Sequence, residues 1–354
     1  MSNHASDFDV NLLAEKTADL LAVRPGQYVW IWANLVSLDF VEALAFRLRA
    51  RGAFWSLRLS SLPLLHRLGT DAPAEVLGRV AEAELRSVGD YDAIVEVRDH
   101  GTFLPEIPQE QRRALGMEWV MLIDAAAKRG LRRVMVVYPT QALACECGLT
   151  LAGLQRRVRQ ALEVDLAVID RRQADLARRL KTARSVHLTC PAGTDLSLRV
   201  DGRKARVDTD SLPYGETYVA PREDSAEGTA VIVKAFVRGR CLHNLRLTFS
   251  AGRVVEAAAA DSSEADIFRE LLAASSGDKD RIAEFAVGCN PGVRDPVGFV
   301  SLDEKIGGSV HLAIGKNADF GGRNVSNLHL DLVILHPTVH FDETLVLERG
   351  EFRV

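Results

Sequence analysis

The sequence predicts an α/β protein with an N-terminal parallel-sheet α/β domain followed by a mostly β domain. Apolar strand-like runs alternate with helix-like segments in the first half of the chain. In the second half, short strands separated by Gly and Pro turns replace that alternation. A length of 354 residues is sufficient for two domains that each have a hydrophobic core.

The first half alternates strands with crossover helices. The apolar run at 27–33 is typical of a strand covered on both faces. Residues 38–51 show helical spacing, because Phe40, Leu44 and Leu48 fall four apart. Further strands are predicted at 54–59, 91–97 and 133–139, and helices at 73–87 and 108–128. Such alternation implies a parallel sheet with helices on its faces. No Gly-x-Gly-x-x-Gly follows the first strand, which argues against a dinucleotide site.

The pattern changes at about residue 183. Residues 150–184 are predicted to be helical, and their interleaved acidic and basic side chains indicate a solvated or inter-domain helix. Beyond them, strands are predicted at 186–190 and 195–200, and a hairpin at 245–257 turns at Ala251-Gly252. A helix is predicted at 263–274. We therefore expect an α/β domain over 1–183 and a β-rich domain over 184–354.

Composition excludes several classes of partner. The formal net charge of −4 gives no reason to expect a nucleic acid, and no apolar run is long enough to span a bilayer. The first residues lack the pattern of a signal peptide, and the five cysteines form no Cys-x-x-Cys pair. We expect a cytoplasmic protein with reduced thiols that acts on a small molecule or a short peptide.

Four polar residues lie inside apolar strand segments of the last third of the chain. They are Glu284, His311, His329 and Asp331. Side chains alternate across a strand, so within 328–332 three leucines face one way while His329 and Asp331 face the other. Burial of a carboxylate costs several kcal/mol or more unless it is paired. Each residue alone would be interpreted as a satisfied core group, whereas the four together favour a bound metal.

Two further features support a metal centre in the β-rich domain. The small residues Ala286 and Ala313 share a face with Glu284 and His311, respectively, and leave room for an ion, water or substrate. Glu216 follows a Pro-Tyr-Gly turn and opens a predicted strand. Its local sequence fits an exposed turn residue and a further member of the site equally well.

Several segments in a fixed order resemble the thermophilic-type metalloaminopeptidases, the aminopeptidase T/aminopeptidase S group. They are Pro-Tyr-Gly-Glu-Thr-Tyr-Val-Ala-Pro at 213–221, Ala-Glu-Phe-Ala-Val-Gly-Cys-Asn-Pro at 283–291, Asp-Glu-Lys-x-x-Gly-Ser-Val-His-Leu-Ala-Ile-Gly-x-Asn at 303–317, Gly-Gly at 321–322 and His-Leu-Asp at 329–331. The resemblance covers about residues 185–341 well, and the N-terminal domain only in general layout.

The resemblance implies a ligand set and an assembly. Glu216, Glu284, His311, His329 and Asp331 match positions that ligate two divalent ions in that family. Zinc, manganese and cobalt all suit ligands of this type. The resemblance also implies a homodimer.

The expected activity is that of a metallohydrolase cleaving an amide or peptide bond. In this hypothesis the ions activate a hydroxide that attacks the amide carbon. Glu216 is then either a bridging ligand or the general base. His100 follows the strand predicted at 91–97, and we consider it either a substrate contact or a surface-loop residue.

One departure from the family keeps a second activity open. The aminopeptidases carry a ligating Tyr seven residues after the first His, where this chain has Ala318, and the interval from His311 to His329 is short. In this respect the chain resembles the 2,5-dihydroxypyridine dioxygenases of the same superfamily, which use one Fe(II) held by two His and one Asp. The matching positions here are Glu284, His329 and Asp331. Those enzymes lack counterparts of Glu216 and His311, so the hydrolase is the leading hypothesis and the Fe(II) ring-cleaving dioxygenase the alternative.

Overall fold

The computed structural model describes residues 8–100 and 107–353, which form two compact units. The first unit comprises the chain up to Leu162 together with Asp210–Leu212, and the second comprises Glu163–Thr209 and the chain from Pro213 onward. The domain division near residue 183 remains a prediction.

The first unit contains the alternating elements. Its described helices are α1 (Val10–Leu21), α2 (Leu38–Ala50), α3 (Leu62–Asp71), α4 (Ala74–Leu77), α5 (Glu82–Ser87), α6 (Gln109–Lys128), α7 (Gln141–Glu146) and α8 (Leu151–Leu162). The strands that precede residue 163 are β1 (Tyr28–Asn34), β2 (Phe54–Ser60), β3 (Ala93–Arg98) and β4 (Arg132–Val137).

The remaining elements follow in chain order. The strands are β5 (Ser185–Thr189), β6 (Asp195–Arg199), β7 (Arg206–Val207), β8 (Ser211–Leu212), β9 (Glu216–Val219), β10 (Glu227–Val237), β11 (Arg240–Ser250), β12 (Arg253–Ala258), β13 (Ile282–Gly288), β14 (Val310–Gly315), β15 (His329–Ile334), β16 (Thr338–Phe341), β17 (Thr344–Glu348) and β18 (Glu351–Phe352). The helices are α9 (Leu166–Leu180), α10 (Ser262–Ala273) and α11 (Val300–Asp303).

The sheet of the first unit is parallel, with the strand order β2-β1-β3-β4-β8. β1 lies inside it and is buried from Val29 to Asn34, which explains its continuous apolar sequence. The helical spacing in α2 puts Phe40, Leu44 and Leu48 in the core. β8 is the exception to chain order, because it reaches this sheet from the second half of the chain.

The second unit is built mainly from two antiparallel sheets. One has the order β12-β11-β10-β6-β5-β16-β17-β18 and the other β15-β14-β13-β9-β7. On one face of the latter sheet, the Phe285 ring packs edge-on against Phe341 of the larger sheet, with ring centroids 6.1 Å apart. The opposite face of β13 carries Glu284. The apolar packing of Phe285 on one face therefore positions the polar side chain on the other.

The predicted α/β fold class is confirmed, as are the strands that became β1 to β4 and the hairpin formed by β11 and β12. Two helix predictions were wrong in extent. The helix predicted at 73–87 is two short helices, α4 and α5, and the one predicted at 150–184 is interrupted between α8 and α9, where Asp165 caps α9. No helix within 8–100 or 107–353 is long and apolar enough to cross a membrane.

Candidate metal centre

The four polar residues predicted from strand alternation do share one face of the β15-β14-β13-β9-β7 sheet. Glu284 lies on β13, His311 on β14, and His329 with Asp331 on β15. The register pairs Glu284 with Ala313 and Ala313 with Asp331, which aligns the two carboxylates across three strands.

Small residues occupy the paired positions beside these side chains. Ala286 stands opposite His311, Gly315 opposite His329, and Gly288 opposite Glu216. Larger side chains at these positions would fill the face and force the charged groups apart. The sheet therefore gathers polar groups where its backbone leaves the most room.

The imidazoles and carboxylates are in direct contact. His329 Nε2 lies 3.3 Å from Asp331 Oδ1 and 3.5 Å from Glu284 Oε2. His311 Nε2 lies 3.3 Å from Glu284 Oε1 and 3.4 Å from Glu216 Oε2. Glu216 thus lies inside the cluster, and the alternative of an exposed turn residue is wrong, because its side chain is only 11 % exposed.

The turn before Glu216 requires glycine. Gly215 has a φ of +136°, and a Cβ there would lie 3.1 Å from the backbone nitrogen of Asn290. The Asn290 side chain also donates a hydrogen bond to the Tyr214 carbonyl, 3.0 Å away. This close packing fixes the point at which Glu216 enters the sheet.

Two residues of the cluster, Glu304 and Lys305, were not predicted from the sequence as site members. Lys305 is buried and its Nζ lies 2.6 Å from Glu216 Oε1, 3.1 Å from Asp208 Oδ2 and 3.3 Å from Glu304 Oε2. Glu304 and Lys305 follow the short helix α11, where no periodic pattern distinguishes a buried face. Their only sequence signal was their place in the segment 303–317.

Ligand atoms fall into two groups that share one residue. Glu284, His329 and Asp331 form one group, and Glu304, His311 and Asp331 form the other. Within each group the candidate ligand atoms lie within 4.8 Å of one another. Two oxygen donors and one imidazole per group suit a divalent ion such as zinc or manganese.

The pKa values of the carboxyl groups shift in two directions. Burial raises the pKa of Glu216, and it raises the pKa of Glu304 well above the ordinary value. Burial also opposes ionisation of Glu284 and Asp331, but the facing imidazoles outweigh it, so the pKa of Glu284 is lowered and that of Asp331 falls to about 2. Groups with such different affinities for protons in one small volume are typical of a functional site.

The pKa values of the three basic groups in the cluster are all raised. Although burial lowers it, the pKa of His311 rises to about 9 because Glu284 and Glu216 stabilise the imidazolium. The neighbouring Asp331 and Glu284 outweigh burial in the same way and raise the pKa of His329 well above its usual value. Three carboxyl groups likewise raise the pKa of Lys305. The carboxyl groups of the cluster therefore stabilise positive charge at its centre.

Several buried polar atoms of the cluster are left without a hydrogen bond. They are Glu216 Oε2, His311 Nδ1 and Asp331 Oδ1. Because such atoms cost about 1–3 kcal/mol each when unsatisfied, their occurrence on three candidate ligand residues fits a metal ion. The donor atoms of the cluster are therefore suited to a divalent cation.

Phe320 contacts the rings of two residues on this face of the sheet, Tyr218 and His329. Phe320 ends a 3₁₀ turn at Ala318–Phe320, and its ring centroid lies 5.7 Å from that of Tyr218 and 5.8 Å from that of His329. Both contacts are edge-to-face.

His100 lies in the first unit, directly after β3. Its Nδ1 is 2.6 Å from Oδ1 of the buried Asp99 and 3.2 Å from Asn34 Nδ2. The structure thus pairs this imidazole with a carboxylate that can fix its tautomer. The predicted contact between His100 and substrate remains a prediction.

A family model shows the family of this chain, and solved structures show its fold. The family model described as thermophilic metalloprotease (M29) matches residues 12–352. No curated protein matches the sequence.

Two solved structures share the fold. AmpT from Thermus thermophilus is similar with a TM-score of 0.81 at 20% identity, over 98% of this chain and 100% of that one. A 2,5-dihydroxypyridine dioxygenase from Pseudomonas putida KT2440 is similar with a TM-score of 0.66 at 18% identity, over 98% of this chain and 97% of that one.

Proposed function

Because the chain belongs to the M29 family of thermophilic metalloproteases and is therefore a metal-dependent hydrolase, we propose that it removes N-terminal residues from short peptides at the centre around Asp331. The substrate is an amide or peptide bond, as the family description implies. The observation that carries the proposal is the pair of ligand groups that share Asp331.

We propose that two divalent ions bind. Glu284, His329 and Asp331 would hold one ion, while Glu304, His311 and Asp331 would hold the other. Zinc, manganese and cobalt fit these donors.

Charge supports two ions over one. Five carboxyl groups surround the centre (Asp208, Glu216, Glu284, Glu304 and Asp331), and Lys305 contacts three of them. When all five are ionised, the single ammonium leaves four negative charges. Two divalent ions neutralise that charge, whereas one leaves half of it in a low-dielectric site.

Lys305 gives Glu216 a defined role in this proposal. The ammonium binds Oε1 and leaves Oε2 facing His311 without a hydrogen bond. Held in this way, Oε2 either completes the ligand set or accepts a proton from the attacking water. A divalent ion bound here would polarise the amide carbonyl and lower the pKa of water.

His100 is proposed as a substrate contact. Asp99 accepts a hydrogen bond from its Nδ1 when that nitrogen is protonated, which leaves Nε2 as the acceptor. The partly exposed imidazole can then bind a donor such as a peptide amide or an amine.

The donor set also bears on the Fe(II) dioxygenase alternative. Non-haem Fe(II) oxygenases typically bind iron with two His and one carboxylate. The group formed by Glu284, His329 and Asp331 offers one His and two carboxylates. Together with the second group, this composition favours hydrolysis over ring cleavage.

We further propose a cytoplasmic homodimer. The dimer rests on the family resemblance, and the location rests on the cysteines, all five of which are free thiols. Light scattering of the purified protein tests the dimer, and a mass of one chain would contradict it.

Metal analysis and activity assays test the proposed function together. The protein, purified without added metal, should contain or take up about two zinc, manganese or cobalt ions per chain and hydrolyse aminoacyl amides. One tightly bound iron per chain, with dioxygen-dependent cleavage of 2,5-dihydroxypyridine, would overturn the hydrolase in favour of the alternative.

A further inference from the structure

Tyr218 lies on the same strand face as the proposed ligands. It follows Glu216 by two residues on β9, so the two side chains project from one side of the sheet. The register pairs Tyr218 with Ala286, and Ala286 with His311. Tyr218 and His311 therefore lie on either side of Ala286 on the same face of the sheet.

The aromatic ring of Tyr218 is held in place from one side. Its edge-to-face contact with Phe320 is 5.7 Å between centroids, and Phe320 in turn contacts the His329 ring. This contact orients a ring whose side chain is only partly exposed. The phenol thus has a supported position beside the metal centre.

The hydroxyl group of Tyr218 differs from those of Tyr214 and Tyr138 in its hydrogen bonding. Within the described residues it makes no hydrogen bond, whereas the hydroxyl of Tyr214 binds Asp170 at 3.1 Å and that of Tyr138 binds Asp39 at 2.7 Å. Partly buried tyrosines usually place their hydroxyl against a partner. A donor without a protein partner beside a candidate active centre is available to a ligand.

Electrostatics agree with this placement. Burial and the carboxylates of Glu216 and Glu284 raise the pKa of Tyr218 to about 12. Both carboxylates therefore lie within electrostatic reach of the phenol, whose hydroxyl group can donate a hydrogen bond.

We propose that Tyr218 donates a hydrogen bond to the carbonyl oxygen of the scissile amide as that oxygen gains negative charge. The inference rests on the amide hydrolysis proposed above. When water attacks the carbonyl carbon, the electron pair of the C=O bond moves to the oxygen, and it returns when the C–N bond breaks and the amine leaves with a proton. The phenol keeps its own proton throughout, so it stabilises the charged oxygen without entering the proton transfers.

The test uses the metal-loaded full chain and an aminoacyl p-nitroanilide. Tyr218→Phe removes the hydroxyl and keeps the ring contact with Phe320. Tyr214→Phe is the matched control, since it removes a tyrosine hydroxyl that points to Asp170 on α9. We expect Tyr218→Phe to lower kcat by roughly 100-fold with little change in KM, and the control to retain wild-type kcat.

A tetrahedral inhibitor gives a second measurement. A phosphinic dipeptide analogue carries charged oxygens in place of the attacked carbonyl, so Tyr218→Phe should weaken its binding by about the same factor as kcat/KM. Metal content should equal that of the wild type.

Several outcomes would overturn the inference. An unchanged kcat, a rise in KM alone, or loss of metal from Tyr218→Phe would each exclude donation to the charged oxygen while leaving a wild-type hydrolase intact. A wild-type protein that hydrolyses no amide with any of the three metals would instead refute the proposed function, and with it this inference.

Discussion

Among the residues that the structure describes, Asp331 alone belongs to both groups of candidate metal ligands. His329 belongs to one group only. The two residues are neighbours on one strand face. Loss of Asp331 should affect both ions, whereas loss of His329 should affect only one.

Replacing Asp331 by Asn should therefore abolish binding of both ions and reduce activity to background. Replacing His329 by Ala should abolish activity but leave about one ion per chain. Elemental analysis after desalting measures this difference. Asp319→Asn is the control, because that carboxylate is exposed and pairs only with Lys316 within the described chain; equal metal loss in all three variants would contradict the assignment.

Lys305 is the second residue on which the centre depends. Lys305→Met keeps the volume but leaves Asp208, Glu216 and Glu304 without their ammonium partner. Loss of one partner of a buried ion pair costs about 3–5 kcal/mol, so we expect the free energy of unfolding to fall by that amount in urea titrations of the metal-free protein. Lys316→Met removes an exposed lysine and should cost less than about 1 kcal/mol; equal effects of the two substitutions would refute the structural role.

At the residue scale, the sequence predicted the strand residues and missed those on loops. Glu284, His311, His329 and Asp331 were recognisable because alternation isolates a polar side chain among apolar neighbours. Glu304 and Lys305 follow a four-residue helix in which burial has no period. Glu216 needed the family resemblance, since its local sequence fits an exposed turn residue and a member of the site equally well.

Gly288 affects the candidate metal centre through close backbone packing, because it has no side chain. A Cβ at this position of β13 would lie 2.1 Å from the Ile306 carbonyl oxygen and 2.9 Å from that of Glu304. Since backbone atoms cannot rotate away as a side chain does, the segment that carries Glu304 and Lys305 would have to move.

Gly288→Ala should for this reason lower metal affinity at least tenfold, although the substituted residue is not a ligand. Isothermal titration with zinc measures it. Gly116→Ala in α6 is the control, because a Cβ there meets nothing within 4 Å and alanine favours a helix by up to about 1 kcal/mol. An unchanged affinity in Gly288→Ala would show that the segment at 304–306 can shift without affecting the ion.

Among the elements, the regular ones were predictable and the breaks were not. Apolar runs identified β1, β3 and β4 because a strand covered on both faces needs no polar face. The interruption between α8 and α9 coincides with the Asp165 cap, which competes locally with helical continuation, whereas no side-chain cap marks the start of α5. The helical spacing of apolar residues does not show where such a cap ends one helix and begins the next.

For the whole molecule, the candidate ligands all belong to the second unit. Metal removal should therefore loosen β13, β14 and β15, while β1, β3 and β4 keep their protection. Hydrogen exchange with and without a chelator measures this, because ligand loss lowers the local opening free energy. Equal acceleration in both sets of strands would show that the two units unfold as one.

The organisation of the whole chain could be predicted only in part. A parallel sheet followed by antiparallel sheets follows from the order of patterns. The return of β8 to the first sheet could not be predicted, because two residues carry no periodic signal.

That return has a consequence for synthesis on the ribosome. The first unit is missing its last strand until Ser211 and Leu212 have emerged, about fifty residues after α8 is complete. Until then β4 is an open edge of a parallel sheet, the kind of surface that pairs with other chains. The nascent protein therefore exposes this edge over the interval, and a translational pause before residue 211 would lengthen that exposure.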